Sequence, residues 1–249
     1  MKKLRADELL FLQGKAASRS QAKLLIMAGK VRSGPDSVIQ KASQMLAETT
    51  ELFVETPPRF VSRGGEKMQG AIDAFKLDVA GTHALDVGAS TGGFTDCLLQ
   101  HGAADVTCVD VGHGQLHEKL RRDSRVTNLE KVNARALDET ALPRERYDLV
   151  VGDLSFISLK LILVPAWHRV EKNGALVMLI KPQFEATREE VSAVRGVIKD
   201  QKIRDRVINE VLDFCKENLD GFSLQGLTES PIHGGDGNVE YLFYARKNI

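Results

Sequence analysis

Apolar runs of strand length, separated by polar and glycine-rich breaks, recur along most of the chain: His83–Val87, Asp105–Val109, Val126–Leu129, Tyr147–Asp153 and Gly174–Pro182. Runs that stay apolar rather than alternating suit parallel strands covered on both faces. Helix-period stretches fall between or after them, over Met68–Leu77, Phe94–Gln100 and a long Asp200–Asn218. Strands alternating with helices predict a doubly wound α/β sheet. The last two runs, Phe222–Leu227 and Val239–Ala245, flank the glycine loop Ile232–Asn238 and predict a closing antiparallel hairpin. Gln183–Lys199 carries few strong signals, and a mobile lid is expected there.

The first 58 residues follow another rhythm. Leu4, Leu9, Leu10 and Leu12 among charged neighbours predict a short amphipathic helix over Leu4–Leu12, ended by Gly14. Ser18 or Ser20 can cap a second helix, Gln21–Ala28, with Ala22, Leu25 and Ile26 inward and Gly29 as its stop. Lys30-Val31-Arg32 then starts an extended segment, Gly34-Pro35-Asp36 reads as a turn, and Val38-Ile39 and Leu52-Phe53-Val54 read as short strands. Pro57-Pro58 stops the last of these, which divides the chain into a small domain over 1–58, a connector over 59–63 and a large domain over 64–249.

Net charge is uninformative, with 34 basic and 34 acidic residues, but its distribution is not. Residues 1–59 hold ten Lys/Arg against six Asp/Glu, leaving 24 against 28 in the remainder. A basic small module on a mildly acidic body points to a polyanion partner. Cys97, Cys108 and Cys215 are odd in number, widely spaced and set in apolar runs, as expected of core residues in a reduced cytoplasmic protein. No Cys/His cluster has metal-ligand spacing, and no metal is expected to be required. A charged amino terminus and the lack of any run of about 18 apolar residues argue against export, membrane spanning or a membrane partner.

Chemistry concentrates after the first apolar run of the large domain, in Asp86-Val87-Gly88-Ala89-Ser90-Thr91-Gly92-Gly93-Phe94. Glycines at a strand-to-helix turn let a ligand approach the backbone where open α/β sheets bind nucleotides. Asp110, about twenty residues beyond the glycines at the end of the next run, is placed to accept both ribose hydroxyls. The spacing Gly88-x-x-x-Gly92-Gly93 departs from that of dinucleotide binders, and with Asp86 leading it suits S-adenosylmethionine better. Asn133 and Arg135 could border the adenine. Asp153 and Lys181 each end a strand, so both point into the same crevice. Glu240 opens the last strand and joins them if that strand runs antiparallel. Lys67 enters from the Ser62–Lys67 glycine turn, at a helix start where a cation opposes the helix dipole. His113, His117 and His233 have no acid at catalytic spacing and read as surface or loop polarity.

Two resemblances sharpen this. Ala6-Asp7-x-Leu9-Leu10, Ser18 through Arg32, and Val38 through Ser43 resemble the S4 RNA-binding domain, a small α+β module. The resemblance implies that Arg5, Lys15, Arg19, Lys23, Lys30 and Arg32 contact RNA phosphates, with a salt-dependent affinity and little base specificity. The turn Ser33–Asp36 is less basic than in most members.

The whole chain resembles the TlyA family of ribosomal RNA cytidine 2′-O-methyltransferases, often labelled hemolysins, whose catalytic domain is of the FtsJ class. Ser62–Lys67, Asp86–Asp96, Asp153–Ser158, Lys181–Glu185, Ser230-Pro231-Ile232 and Gly237-Asn238-x-Glu240 carry the likeness. It implies a Rossmann-like seven-stranded sheet binding S-adenosylmethionine, ribosomal RNA or ribosomal subunits as partner, and a catalytic tetrad of Lys67, Asp153, Lys181 and Glu240. For the cofactor it implies Asp86, Gly88, Ala89, Ser90, Thr91, Gly92, Phe94, Asp110 and Phe156. Two departures are Phe60, where relatives often carry Trp, and Ser192–Val197 in place of a more glycine-rich loop. Lys181 is expected to act as general base or hydroxyl-steering cation, with a neutral amine favoured by Lys67 and desolvation and opposed by the two carboxylates. A non-catalytic RNA-binding or ribosome-assembly factor is the alternative, against which the complete tetrad argues. A membrane-active hemolysin is a further alternative, for which no strongly apolar amphipathic helix speaks.

Overall fold

The computed structural model describes residues 2–35, 37–55 and 58–249, and its chain contacts form two units, Met1–Pro58 and Arg59–Ile249. Asp36 of the expected turn and Pro57 of the expected boundary lie outside the described residues.

In the first unit, β1 (Lys3–Arg5) leads directly into α1 (Ala6–Leu12), followed by α2 (Arg19–Met27), β2 (Val31–Arg32), β3 (Met45–Ala47) and β4 (Phe53–Val54). Leu4 therefore lies in a strand, not a helix: it pairs with Leu46 of β3 and buries its side chain from there. Apolar spacing over so few residues cannot separate the two conformations. Ser18 is the cap of α2, its Oγ accepting from Gln21 N at 3.1 Å. β2 pairs with β4, while Val38 makes only an isolated bridge to Arg32. Leu9, Leu10, Ala22, Ile26, Val31, Ile39 and Leu52 close the core of this unit.

The second unit is an α/β sheet whose helices are α3 (Gly64–Phe75), α4 (Gly93–Gln100), α5 (Glu118–Arg121), α6 (Lys160–His168), α7 (Pro182–Glu185), α8 (Arg188–Ala193) and α9 (Gln201–Asn218). Its strands are β5 (His83–Val87), β6 (Asp105–Asp110), β7 (Val126–Glu130), β8 (Tyr147–Gly152), β9 (Val170–Ile180), β10 (Phe222–Glu229) and β11 (Tyr241–Lys247). They form one seven-stranded sheet in the order β10-β11-β9-β8-β5-β6-β7. The five strands from β9 to β7 are parallel, and β11 and β10 are antiparallel. Side chains of successive residues go to opposite faces: Leu85, Val87, Val150 and Leu176 meet Trp167, Ile162 and Val211 on one, and Ala84, Leu149, Val151 and Val177 meet Met68, Cys97 and Leu98 on the other. Strand order reverses between β5 and β8, where ligands bind in open α/β sheets.

Two elements depart from the pattern. α3 begins at Gly64, so Lys67 lies within its first turn instead of ahead of it. Gln183–Lys199 is not featureless: it holds α7 and α8, and Thr187 and Glu190 form a reciprocal capping box at the start of α8.

Candidate active site

Register brings four distant charges together. Val87 pairs with Gly152, so Gly88 and Asp153 leave the sheet side by side; Tyr241 pairs antiparallel with Ile180, so Glu240 and Lys181 also meet there. Lys67 Nζ donates to Asp153 Oδ2 at 2.9 Å and lies 2.7 Å from Glu240 Oε2. Lys181 Nζ lies 2.7 Å from Asp153 Oδ1 and donates to Ser155 Oγ at 2.8 Å. The result is a chain, Lys181–Asp153–Lys67–Glu240, in which cations and anions alternate.

Its electrostatics favour the charged forms of the two inner groups, Lys67 and Asp153. Burial disfavours the Lys67 ammonium, but Asp153 and Glu240 outweigh it and hold the pKa above the usual lysine value. Burial likewise disfavours the Asp153 carboxylate, yet Lys181 and Lys67 pull it below the ordinary range.

How Lys67 reaches this place depends on close approach of two helix starts. A Cβ at Gly93 would lie 2.5 Å from Ser62 Oγ and 2.7 Å from Gly65 N, so the first residues of α3 and α4 touch backbone to backbone. A Cβ at Gly65 would run into the ring of Phe60, which is itself buried. The connector is fixed to α4 as well, with Val61 N donating to Asp96 Oδ2 at 2.9 Å and Gln100 Nε2 donating to Arg59 O at 3.0 Å.

Two adjoining cavities open along the carboxyl ends of the strands. One, of about 500 Å³, is lined by the four charged residues and by Asp86, Ala89, Thr91 and Phe94. The other, of about 530 Å³, is lined by Asp110, Val111, Asn133, Ala134, Arg135 and Ile157. Gly88, Ser90, Asp153, Ser155 and Phe156 border both. Gly92 is part of the turn, but lines neither: at φ +90°, a Cβ there would collide with Leu120 and Leu116, so its task is to let the turn pack. Asp110 Oδ2 accepts from Ser90 N at 2.8 Å and Oδ1 from Gly112 N at 2.7 Å, which ties the loop after β6 to the glycine turn and leaves each oxygen a further lone pair. An acceptor for a vicinal diol, apolar walls for a flat base and a cradle at Gly88, where a Cβ would lie 3.1 Å from Leu154 Cγ, fit an adenosyl group whose amino-acid end reaches the first cavity.

Asp86 is 1% exposed, and its Oδ2 accepts from Thr95 N at 3.1 Å and Thr95 Oγ1 at 2.6 Å, securing the start of α4. Burial pushes its pKa up to about 7, against which the Thr95 bonds work. Between pH about 4 and about 7 the folded state keeps this proton while the unfolded chain loses it, so stability falls as pH rises through that window. Asp86→Asn removes this slope, worth about 1.4 kcal/mol per unit of displacement. Urea midpoints of both proteins at pH 5 and pH 7 check it: the natural protein loses ground to the variant, and parallel behaviour refutes the assignment.

Several lining residues carried no signal of their own in the sequence. Ser155, Phe184, Val191 and the loop His233–Asp236 line the first cavity. His233, read as loop polarity, thus borders the site, and its carbonyl accepts from Arg63 Nη2 at 2.6 Å. His113 does have an acid, Glu130, against its Nδ1, but the pair is outside both cavities. Phe156 is 91% exposed at φ +65° and packs its ring against Phe184 at 5.3 Å, so it is not a core residue.

In the first unit the six basic residues are unequal. Arg5 and Arg19 share Asp7, Lys15 faces Glu51, and Arg32 pairs with Glu55. Lys23 and Lys30 make no ion pair among the described residues, with Lys23 exposed on α2.

Residues 60–247 match the family model described as FtsJ-like methyltransferase. Over 247 residues the chain is 43% identical to the 16S/23S rRNA (cytidine-2′-O)-methyltransferase TlyA of Mycobacterium tuberculosis, covering 98% of this chain and 90% of that one. This chain belongs to the TlyA group of FtsJ-like methyltransferases. Within that group it is also similar to Hemolysin A of Brachyspira hyodysenteriae, at 40% identity over 96% of this chain and 98% of the relative. A solved structure of a candidate hemolysin from Streptococcus thermophilus superposes with a TM-score of 0.71 at 40% identity, covering 99% of this chain and 89% of that one. Among the described residues, no helix of this TlyA-group chain is long and apolar enough to cross a membrane.

Proposed function

We propose that the chain transfers a methyl group from S-adenosylmethionine to a ribose 2′-hydroxyl of ribosomal RNA, at cytidine. The alternating chain of Lys181, Asp153, Lys67 and Glu240 beside an adenosyl-shaped pair of cavities is the observation that carries this reading. When bound, the donor supplies a methyl already activated as an electrophile on sulfonium. The protein then has to orient a weak nucleophile and bear the charge that develops on it.

Lys181 Nζ donates to Ser155 Oγ and lies 2.7 Å from Asp153 Oδ1, and an ammonium carries three hydrogens, so one is left for the incoming 2′-oxygen. As an ammonium it steers that oxygen in line with the methyl and stabilises it as its proton passes to solvent. Asp153 sets the direction of Lys181, and Lys67 and Glu240 set the direction of Asp153. Gly88, Ala89, Ser90 and Thr91 cradle the donor's amino-acid end, Asp110 its ribose, and the exposed Phe156 ring closes over it. Arg5, Lys15, Arg19, Lys23, Lys30 and Arg32 of an S4-like first unit bind the RNA backbone. The setting is the cytoplasm, where ribosomes are found.

Incubation with tritiated S-adenosylmethionine and separated ribosomal subunits, followed by nuclease digestion and mass spectrometry, tests this. Label in 2′-O-methylcytidine is the expected result; unlabelled RNA, or methyl groups on bases, would overturn the proposal. Asp110→Ala should weaken donor binding by about 10- to 100-fold, as loss of one charge-assisted contact implies, and leave kcat at saturating donor nearly unchanged. Isothermal titration with S-adenosylhomocysteine and a KM–kcat comparison read the two effects.

A further inference from the structure

Glu185 takes no part in the chemistry described so far, yet it joins the two loops that carry it. It is the last residue of α7, four positions after Lys181. Its Oε1 accepts from Leu159 N at 2.6 Å and its Oε2 from Ser158 Oγ at 2.7 Å. Leu159 is the N-terminal cap residue of α6 and has no side-chain acceptor of its own, so a carboxylate from the neighbouring loop serves that helix start. Burial raises the Glu185 pKa above the ordinary carboxylate value.

The loop that Glu185 grips, from Asp153 to Leu159, is under strain. Phe156 stands in it at φ +65°, where a side chain with a Cβ is disfavoured. Such a conformation persists only where the surroundings fix the chain on both sides. On one side Asp153 is held by Lys67 and Lys181. On the other, Ser158 and Leu159 are held by Glu185. Between these points Ser155 receives the Lys181 hydrogen bond and Phe156 meets Phe184.

We propose that Glu185 is a positioning residue for methyl transfer: by tying Ser158 and Leu159 to the loop that begins at Lys181, it keeps Ser155 and Phe156 where Lys181 needs them. The inference rests on the role given to Lys181 above. Without the tie, the Asp153–Leu159 loop relaxes at Phe156, Ser155 withdraws and the Lys181 ammonium loses one of the two contacts that aim it. The glycine turn and Asp110 belong to other loops and keep their places.

Glu185→Ala removes the tie and Glu185→Gln keeps it, and transfer rate, donor affinity and local exchange are read in both. In single-turnover methyl transfer, well below the unfolding temperature of each protein, Glu185→Ala is expected to lose at least about tenfold in rate, as misalignment of a reacting group implies. Affinity for S-adenosylhomocysteine should fall by no more than about threefold, since Phe156 is one of several groups around the donor and the glycine turn and Asp110 keep theirs. Glu185→Gln keeps an acceptor for Leu159 N and a partner for Ser158 and should recover most of the rate. Hydrogen exchange of the amides of 153–159, which needs no turnover, should rise in the alanine variant and not in the glutamine one. An alanine variant at near-normal rate, a rate loss matched by lost donor affinity, or unchanged exchange would each overturn the proposal. A natural protein that methylates no ribosomal RNA would instead overturn the functional reading, and that is measured before the variants.

Discussion

Lys181→Ala is expected to bind the methyl donor normally and to transfer its methyl at least about a thousandfold more slowly, the scale for removing a group that both orients a nucleophile and bears its charge. Lys181 is 7% exposed and is held by Asp153 at 2.7 Å and Ser155 at 2.8 Å, and the neighbouring cation, Lys67, is tied to Asp153 and Glu240 and does not take its place. The donor's adenosyl cavity lies on the far side of Gly88 and Asp153 and does not include Lys181. Single-turnover transfer and titration with S-adenosylhomocysteine measure the two properties separately. Turnover near that of the natural protein would remove Lys181 from the mechanism.

The largest effect on the fold is expected from Gly93→Ala. The added methyl would sit 2.5 Å from Ser62 Oγ, 2.7 Å from Gly65 N and 2.9 Å from Gly64 Cα. Two of these are main-chain atoms, which cannot swing aside as a side chain can. Relief requires α3 to retreat from α4, at a cost of about 1–3 kcal/mol typical of overpacking. Because Lys67 is in the first turn of α3, the same displacement draws it from Asp153 and Glu240 and lowers transfer by at least about tenfold. Gly64→Ala is the control: its Cβ would have no neighbour nearer than 3.6 Å. Urea unfolding and transfer rates should separate the two variants, and equal stability would show that the helices can part freely.

The parts of the molecule read most directly from sequence are those governed by burial. A strand covered on both faces has to be apolar throughout, and Leu149-Val150-Val151 or Leu176-Val177-Met178-Leu179-Ile180 admits few other conformations beside a glycine-rich turn. Residues that end such strands are equally legible, because a charge at the end of a buried run can only point out of the sheet, as Asp153 and Lys181 do after β8 and β9. Glu240 required the direction of the last strand, which apolar runs do not encode and which the register Tyr241 to Ile180 supplies. Its place was therefore conditional until pairing was known.

Other features escaped for different reasons. Thr187 and Glu190 spell a capping box, but α8 has no buried residue, so no apolar stripe drew notice to it. Glu185 touches Ser158 and Leu159 across 26 residues or more, and nothing local marks a carboxylate as the cap of a distant helix. In the first unit, the spacing that predicts a helix at Leu4 fits a strand as well, because a three-residue strand and a helical turn bury one leucine equally well. Phe156 borders both cavities, and the backbone angle that turns it outward is a property no apolar pattern encodes.

Lys181, Asp153, Lys67 and Glu240 alternate in sign, and two ammoniums against two carboxylates cancel a short way from the protein surface. The reaction centre therefore casts almost no long-range field toward an approaching polyanion. Recruitment of RNA falls to cations outside it, and added electrolyte acts on encounter, while the rate of the assembled complex stays level. Evolution can retune how avidly such an enzyme collects its substrate without disturbing the four groups that transform it.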